Sequence, residues 1–249
     1  MNTIVFDLET VPDMAVWYNY QAPPPDPGPD APPKRGRKPK AKAEPFAPLH
    51  AHRVIAIGYV LIEGDTPKGI GCAYAQEESN ESTMLRGFGA WLDNLKADIV
   101  TWNGRGFDCP VLQLRSYRHG IPQNWYRDAH RRRYDEGAHV DLCDVMSNYS
   151  GRIDGVNLDT FAKLIGLPGK GEVNGAGVSA LYQAGEHAKI QAYCKRDVVQ
   201  TAYVYLRYRL LRGMPIETYR AACAELRALW APDSAFDGFT VDTARLELP

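Results

Sequence analysis

The feature that most constrains this sequence is a short apolar segment near its start, residues 2–10, which carries two acidic side chains. Its composition predicts a β-strand, and side chains alternate between the two faces of a strand. Asp7 and Glu9 should therefore share one face, while Phe6 and Leu8 share the other. Adjacent carboxylates repel each other and are unfavourable to bury unless divalent cations hold them. Taken alone, the pair also fits a solvated rim at the end of a strand.

The order of the remaining segments predicts an α/β fold. Two further strand-like segments indicate that the sheet begins with three antiparallel strands, and alternating helical and strand-like segments then predict parallel strands. The later strand-like segments are 53–62, 69–74, 99–102 and 139–142, and the helical ones are 82–95, 108–119, 158–165, 178–183, 187–211 and 216–230. We therefore expect a mixed sheet flanked by helices.

Residues 21–48 differ in character from the rest of the chain, because they are rich in proline, alanine and lysine and lack a periodic apolar pattern. Such a composition predicts a disordered insertion. The sequence contains no internal repeat and no second independent core. We expect a single domain over 1–249, in which 21–48 is a basic insertion and 215–249 is a C-terminal helical extension.

The insertion contains a basic stretch, 33–40, in which Arg35 and Arg37 flank a glycine and resemble the core of an AT-hook. That element places arginines in the narrow minor groove of A·T-rich DNA. Lys38 stands where the usual pattern has proline. Contact of Arg35 and Arg37 with nucleic acid and a plain charged spacer are therefore both open interpretations.

A further acidic residue, Asp108, follows a predicted buried strand and a glycine-containing turn, 103–107. A helix should begin there, since Pro110 lies two residues later and proline is tolerated in the first turn. Asp108 can be a functional acid, or simply a helix cap that accepts backbone N–H bonds.

The last acidic candidate, Asp197, lies in a long helical segment four residues after Tyr193. Residues four apart lie on the same face of a helix, so the phenol and the carboxylate should point in the same direction. A half-buried tyrosine beside an exposed acid would have the same spacing.

Together, these segments occur in the order found in a known superfamily. Residues 6–10, 103–108 and 193–197 resemble the three motifs of the DEDD exonucleases, and Tyr193 is typical of the DEDDy branch. Within that branch, the chain is similar to a group of predicted bacterial exonucleases related to the proofreading domain of family B DNA polymerases. The resemblance extends from Thr3 to about Arg209, apart from the insertion.

The resemblance implies a ribonuclease H-like fold and a metal-dependent 3′–5′ exonuclease. In such an enzyme, Asp7, Glu9, Asp108 and Asp197 hold two divalent cations, Mg²⁺ or Mn²⁺, and Tyr193 orients the attacking water. Single-stranded DNA is the expected substrate, in repair or nucleic-acid turnover, with RNA as the alternative. A non-catalytic nucleic-acid-binding module and an endonuclease of similar fold are rival interpretations. Clustered negative charge argues against the binding module, because phosphates must approach it.

Four residues near the motifs are candidate contacts to the substrate: Thr10, Asn103, Phe107 and Lys170. We expect hydrogen bonding, stacking on the phenylalanine ring and attraction of the lysine to phosphate. Ordinary packing explains Phe107 equally well, and a lysine in a glycine loop is usually solvated; Lys163 has the same two interpretations. Asp141 and Asp144 should cap or line the sheet end without binding metal.

The net charge of −1 and pI near 6.6 give no strong overall field for a polyanion, so nucleic-acid affinity must come from local patches. A basic cluster formed by Arg127 and residues 130–133 either borders the substrate channel or solvates a loop; the second is favoured. No targeting segment and no long apolar run are evident, which predicts a cytoplasmic protein without membrane contact.

Overall fold

The computed structural model describes residues 1–20, 47–134, 137–150, 155–171 and 175–248. The described strands form one sheet: β1 (Asn2–Pro12), β2 (His52–Glu63), β3 (Thr66–Tyr74), β4 (Asp98–Thr101) and β5 (His139–Asp141). Their order across the sheet is β3-β2-β1-β4-β5. β1, β2 and β3 pair antiparallel, whereas β1, β4 and β5 pair parallel. The predicted mixed sheet is confirmed.

Helices cover both faces of this sheet, with α2 and α3 on one face and α6, α8 and α9 on the other. The described helices are α1 (Met14–Tyr20), α2 (Glu78–Leu95), α3 (Asp108–His119), α4 (Asp128–Arg131), α5 (Leu142–Met146), α6 (Leu158–Leu164), α7 (Gly175–Gln183), α8 (His187–Leu211), α9 (Ile216–Trp230) and α10 (Thr243–Glu247). Among the described helices, none combines the length and the apolar character needed to cross a bilayer.

The central strand β1 is covered on both faces, which explains its largely apolar sequence. Ile4, Phe6 and Leu8 pack in the core beneath α2 and α3. Val5 packs in the core beneath α8. Because the side chains alternate, positions 7 and 9 continue the face that α8 covers. The alternation in the sequence therefore places the two acidic side chains of β1 on the face that packs against α8.

A close approach between α8 and the sheet occurs at Gly58 of β2, which pairs with Asp7 of β1. A β-carbon at Gly58 would lie 2.8 Å from Cys194 Sγ and 2.9 Å from the carbonyl oxygen of Cys194. Only glycine fits without displacing the helix backbone. This contact sets how near Tyr193 and Asp197 come to β1.

Element boundaries differ from the predictions by a few residues. α2 begins at Glu78 rather than at 82, and α7 begins at Gly175 rather than at 178. The additional first turn of α2 contains Glu81, whose carboxylate binds Arg115 of α3. Such a contact between distant residues is invisible to a periodic pattern, which explains why the prediction began the helix too late.

Most of the predicted insertion, 21–48, lies outside the described residues. Its last two residues are described. Ala47 is buried, and its carbonyl oxygen lies 2.9 Å from Nε2 of the His52 ring. Burial and this hydrogen bond order the chain before β2 begins.

The C-terminal segment is bonded to α8 through two basic side chains of that helix, which lie between Tyr193 and Asp197 in the sequence. Lys195 Nζ bonds Asp233 Oδ2 at 2.7 Å, and Arg196 Nε donates to the carbonyl oxygen of Ala235 at 2.6 Å. The side chains of Lys195 and Arg196 are therefore engaged by the C-terminal segment, so the helix is held on this side as well.

Candidate active site

Three acidic side chains converge where β1 meets α8. Asp7 and Glu9 come from β1 and Asp197 comes from α8; one carboxylate oxygen of each lies within 4.8 Å of the other two. Glu9 and Asp197 are buried, whereas Asp7 keeps partial exposure. We call these three residues the acid cluster.

Asp108, the first residue of α3, lies beside the acid cluster but is not one of the three acids that share this spacing. Its Oδ1 accepts a hydrogen bond from the backbone N–H of Leu8 at 3.1 Å. Asp108 therefore binds β1, whereas the N-cap position of its helix is occupied by Phe107. Burial raises the pKa of Asp108 well above its ordinary value, and the charge of Asp7 raises it further. A role for Asp108 in metal binding stays a prediction.

Lys170 reaches the acid cluster from the loop that precedes α7. Its Nζ lies 3.0 Å from Asp197 Oδ2 and 3.3 Å from Tyr193 Oη. The contact with Asp197 is an ion pair to a buried oxygen, Oδ2. One ammonium group thus faces three carboxylates.

The pKa values of the acid cluster reflect this excess of negative charge. Burial, assisted by repulsion from Asp197, raises the pKa of Asp7 to about 7. Burial and the charges of Asp7 and Asp197 raise the pKa of Glu9 well above its ordinary value. Burial also raises the pKa of Asp197, although Lys170 opposes it. Without further positive charge, the cluster holds protons more tightly than free carboxylates do.

The donor set fits hard divalent cations. All three candidate ligands are carboxylate oxygens, which Mg²⁺ and Mn²⁺ prefer. The buried Oδ2 of Asp197 faces the ammonium group of Lys170, and a bound cation would add positive charge beside it. Burial and the charge of Asp197 raise the pKa of Tyr193, so the phenol beside these acids stays protonated.

The turn 103–107 that leads into α3 is held by Asp141. One carboxylate oxygen of Asp141 accepts from the N–H of Asn103 at 2.8 Å, and the other accepts from the N–H of Arg105 at 2.9 Å. Asp141 also caps α5, where its side chain accepts a hydrogen bond from the backbone N–H of Cys143. A β-carbon at Gly106 would lie 2.6 Å from Asn103 Oδ1, so a larger residue there would displace the Asn103 amide.

Comparison with known proteins identifies the family of this chain. Residues 44–237 match a family described as "predicted 3′-5′ exonuclease related to the exonuclease domain of PolB". The chain belongs to this family. Its enzyme class is that of a 3′–5′ exonuclease, a hydrolase, and exonuclease domains of this type use divalent cations. The search of curated proteins gives no match.

Solved structures similar to this exonuclease include two larger DNA-processing proteins. The family B DNA polymerase from the hyperthermophilic archaeon Pyrobaculum calidifontis is 17% identical with a TM-score of 0.51, over 92% of this chain and 29% of the polymerase. The zinc ion bound form of the E. coli ExoI–ssDNA complex is 13% identical with a TM-score of 0.40, over 87% of this chain and 46% of ExoI. The exonuclease thus spans less than half of either chain. The likeness to the polymerase shows a shared fold.

In this exonuclease, Thr10 forms a hydrogen bond with His52, a residue that was not predicted from the sequence. Thr10 Oγ1 lies 2.9 Å from His52 Nδ1, and the His52 ring contacts Phe107 edge-on with centroids 5.0 Å apart. Burial lowers the pKa of His52, so the ring is neutral. Its Nε2 donates to the carbonyl oxygen of Ala47, and Nδ1 therefore accepts from the Thr10 hydroxyl. A lone histidine at a strand start has no spacing signal that could have revealed this contact.

The other predicted contacts lie in different surroundings. Lys163 pairs with Asp159 at 2.7 Å, and Asp159 also accepts from the backbone N–H of Lys170 at 2.7 Å. Asp159 thus fixes the loop that presents Lys170. The AT-hook-like residues Arg35 and Arg37 lie outside the described residues.

Proposed function

We propose that this exonuclease hydrolyses the phosphodiester bond at the 3′ end of single-stranded DNA, with two divalent cations, Mg²⁺ or Mn²⁺, at the acid cluster. The observation that carries the proposal is the convergence of three carboxylates with the Tyr193 phenol and the Lys170 ammonium. A module that only binds nucleic acid has no need for concentrated negative charge where phosphates approach.

The acids form the metal-binding part of the proposed site. Asp7, Glu9 and Asp197 hold the cations, and Asp108 completes the set from α3. Bound cations of this kind acidify water and stabilise charge on phosphoryl oxygens. The acids act as a unit, because removal of one carboxylate leaves too few oxygen ligands.

The remaining residues bind and orient the reactants. Tyr193 orients the attacking water through its protonated phenol. Lys170 presents its ammonium group to a phosphate of the substrate. Three residues grip the terminal nucleotide through backbone, amide and ring contacts respectively: Thr10, Asn103 and Phe107.

The proposal extends to substrate, organisation and setting. DNA is favoured because the family is related to the exonuclease domain of PolB, and RNA is the alternative. We propose one domain over 1–249, with 215–249 as an extension; a core shared by α8 and α9 supports this organisation. We place the protein in the cytoplasm, in DNA repair or nucleic-acid turnover.

The test compares matched, 5′-labelled DNA and RNA strands with free or blocked 3′ ends, in Mg²⁺, in Mn²⁺ and in chelator. We expect stepwise shortening of the free-ended DNA from its 3′ end, with metal only. Blocked strands and single-stranded circles should persist, and cleavage of circles would contradict exonuclease action. Faster shortening of RNA would reverse the substrate preference.

A pair of amide substitutions controls for contaminating nucleases. Asp197→Asn removes a charge from the acid cluster and should be inactive. Asp237→Asn removes an exposed charge elsewhere and should keep activity. Metal-dependent activity of equal size in both purified variants would refute the assignment of the acid cluster.

A further inference from the structure

A second candidate binding site lies beside the turn 103–107. It is a cavity of about 550 Å³ between that turn, the start of α3 and the segment 126–133. We call it the arginine cavity. Its lining includes Asn103, Pro110, Tyr126, Arg131, Arg133 and Asp144.

Arg105 builds one wall of the arginine cavity. Its guanidinium donates to the carbonyl oxygens of His130 and Arg132, one on each side of Arg131. It also donates to the carbonyl oxygen of His139 at 2.8 Å. These bonds hold the basic segment against the turn, so the position of the Arg131 backbone is set by the fold.

The charges that line the arginine cavity are predominantly positive. Arg105, Arg131 and Arg133 face it together with one carboxylate, that of Asp144. Asp144 binds the Arg133 guanidinium at both nitrogens, at 3.0 and 2.6 Å. Asp144 therefore compensates Arg133, and the cavity keeps an excess of positive charge. Planar guanidinium groups are suited to binding phosphate oxygens.

Arg131 combines charge with an aromatic neighbour. Its side chain is exposed, and its guanidinium carbon lies 5.3 Å from the centre of the Tyr126 ring. Tyr126 and Pro110 provide apolar surface in the same cavity. Basic groups beside an aromatic ring are the combination with which proteins bind the phosphate and the base of a nucleotide.

The arginine cavity and the acid cluster adjoin the same turn. Asn103 and Gly106 line the cavity. The residue after the turn, Asp108, directs its carboxylate to the N–H of Leu8 in β1, the strand of the acid cluster. A nucleic-acid strand whose 3′ end lies at the acid cluster therefore has a basic surface available on the other side of one short turn.

We propose that the arginine cavity binds a nucleoside monophosphate unit, with its phosphate on Arg131 and its base against Tyr126 and Pro110. The proposal rests on the proposed function, because the unit is either a nucleotide of the substrate strand or the nucleotide released from it. The volume lies within the range of small-molecule pockets, roughly 300 to 1,000 Å³. This volume is sufficient for one nucleotide.

The first experiment measures binding of a fluorescent single-stranded DNA of about twelve nucleotides in chelator. If the bound unit belongs to the substrate strand, Arg131→Ala should weaken binding about tenfold and lower the slope of log affinity against log salt by about 0.7, as expected for one lost phosphate contact. Arg131→Lys should keep most of the slope. The matched control Arg86→Ala removes an exposed arginine of α2 that does not line the cavity, and its affinity should stay within about twofold of wild type.

The second experiment measures inhibition of hydrolysis by added deoxynucleoside monophosphate. If the unit belongs to the strand, Arg131→Ala weakens oligonucleotide binding; if it is the released nucleotide, Arg131→Ala weakens inhibition. Either loss supports the nucleotide site. Unchanged binding and inhibition, or the same losses in Arg86→Ala, overturn it. Binding in chelator needs no catalysis, so failure of the exonuclease assignment and failure of the cavity give different results.

Discussion

Two groups of largely buried acids, each with at least one member in β1 or just after it, differ in charge balance. In the acid cluster, three carboxylates face the ammonium group of Lys170. In the second group, which we call the ion-pair cluster, Asp13 and Glu81 bind the guanidinium of Arg115. Buried carboxylates that are matched by a guanidinium serve the fold, whereas unmatched ones mark a place for added positive charge.

The ion-pair cluster joins elements that are distant along the chain. Arg115 of α3 donates to Glu81 of α2 and to Asp13 after β1, each at 2.8 Å. Glu81 also accepts from the N–H of Val54 in β2 at 2.8 Å. Burial alone raises the pKa of Asp13, but Arg115 and Arg118 lower it below its ordinary value. The ionised state is thus the stable one here, in contrast to the acid cluster.

Activity should separate the two clusters most strongly. Asp197→Asn is expected to lower kcat/KM by about 10³-fold or more, equivalent to about 4 kcal/mol, because the acid cluster then lacks a metal ligand. Asp13→Asn should leave kcat/KM within about threefold per mole of folded enzyme. Steady-state hydrolysis of a labelled strand measures both. Equal losses would show that charge balance does not distinguish the functions of these clusters.

The free energy of unfolding should distinguish the two clusters in the opposite way, with the larger loss in variants of the ion-pair cluster. Arg115→Met removes the buried guanidinium that both carboxylates share and leaves beside them only the partly exposed Arg118 and His119. It is expected to lower the free energy of unfolding by about 3 to 5 kcal/mol. The control is Arg118→Met, because Arg118 also bonds Asp13, at 3.1 Å, but its side chain is 38% exposed. Arg118→Met should lower the free energy of unfolding by less than about 1 kcal/mol. Urea unfolding measures both free energies. A loss of stability in Arg115→Met no larger than in Arg118→Met would contradict a structural role for Arg115.

The pH dependence of stability should also differ between the clusters. The pKa of Asp7 is raised from 3.8 to about 7, so the folded state binds a proton more tightly and loses stability as pH rises between these values. In chelator, wild type should therefore lose about 1 to 2 kcal/mol relative to Asp7→Asn between pH 5 and pH 8.

Asp13 provides the matched comparison for this experiment. Its pKa is lowered, so its contribution to stability is present above the ordinary pKa and is lost only as pH falls through the folded-state pKa. The difference between Asp13→Asn and wild type should thus stay constant from pH 5 to pH 8. Parallel pH profiles of the unfolding free energy for the Asp7 and Asp13 variants would contradict the proposed electrostatic difference between the clusters.

The smallest expected effect is stabilisation by metal. Mg²⁺ or Mn²⁺ at about ten times its Kd should raise the free energy of unfolding of wild type by about 1 kcal/mol. Asp197→Asn should gain almost nothing, whereas Asp237→Asn should gain as much as wild type. Thermal unfolding at matched ionic strength measures the shift. If metal stabilises Asp197→Asn as much as wild type, the cation binds at a site other than the acid cluster.

Much of the fold and part of the candidate site could be predicted from short-range patterns. The alternation in β1 predicts that Asp7 and Glu9 share a face, and the spacing of four places Asp197 one helical turn after Tyr193. The order of strands and helices predicts the mixed sheet. These inferences succeed because each depends on backbone geometry over a few residues.

Contacts between distant segments could not be predicted in this way. The ion pair of Lys170 with Asp197 and the contact of His52 with Thr10 join residues from separate elements. Asp108 gave a starting position for α3, but not its hydrogen bond to β1. Each of these contacts depends on which strands are neighbours and how loops return to the sheet, which no local pattern encodes.

The sequence by itself determined which acids exist, on which elements they lie and which family their motifs resemble. The tertiary structure decided which of those acids are left without a matching cation. Asp7 and Asp13 lie six positions apart, yet burial and Asp197 raise the pKa of the first, while Arg115 lowers that of the second. The physical reason is that backbone periodicity is a property of near neighbours in the chain, whereas the energy of a charge depends on its distances in space and its exposure to water.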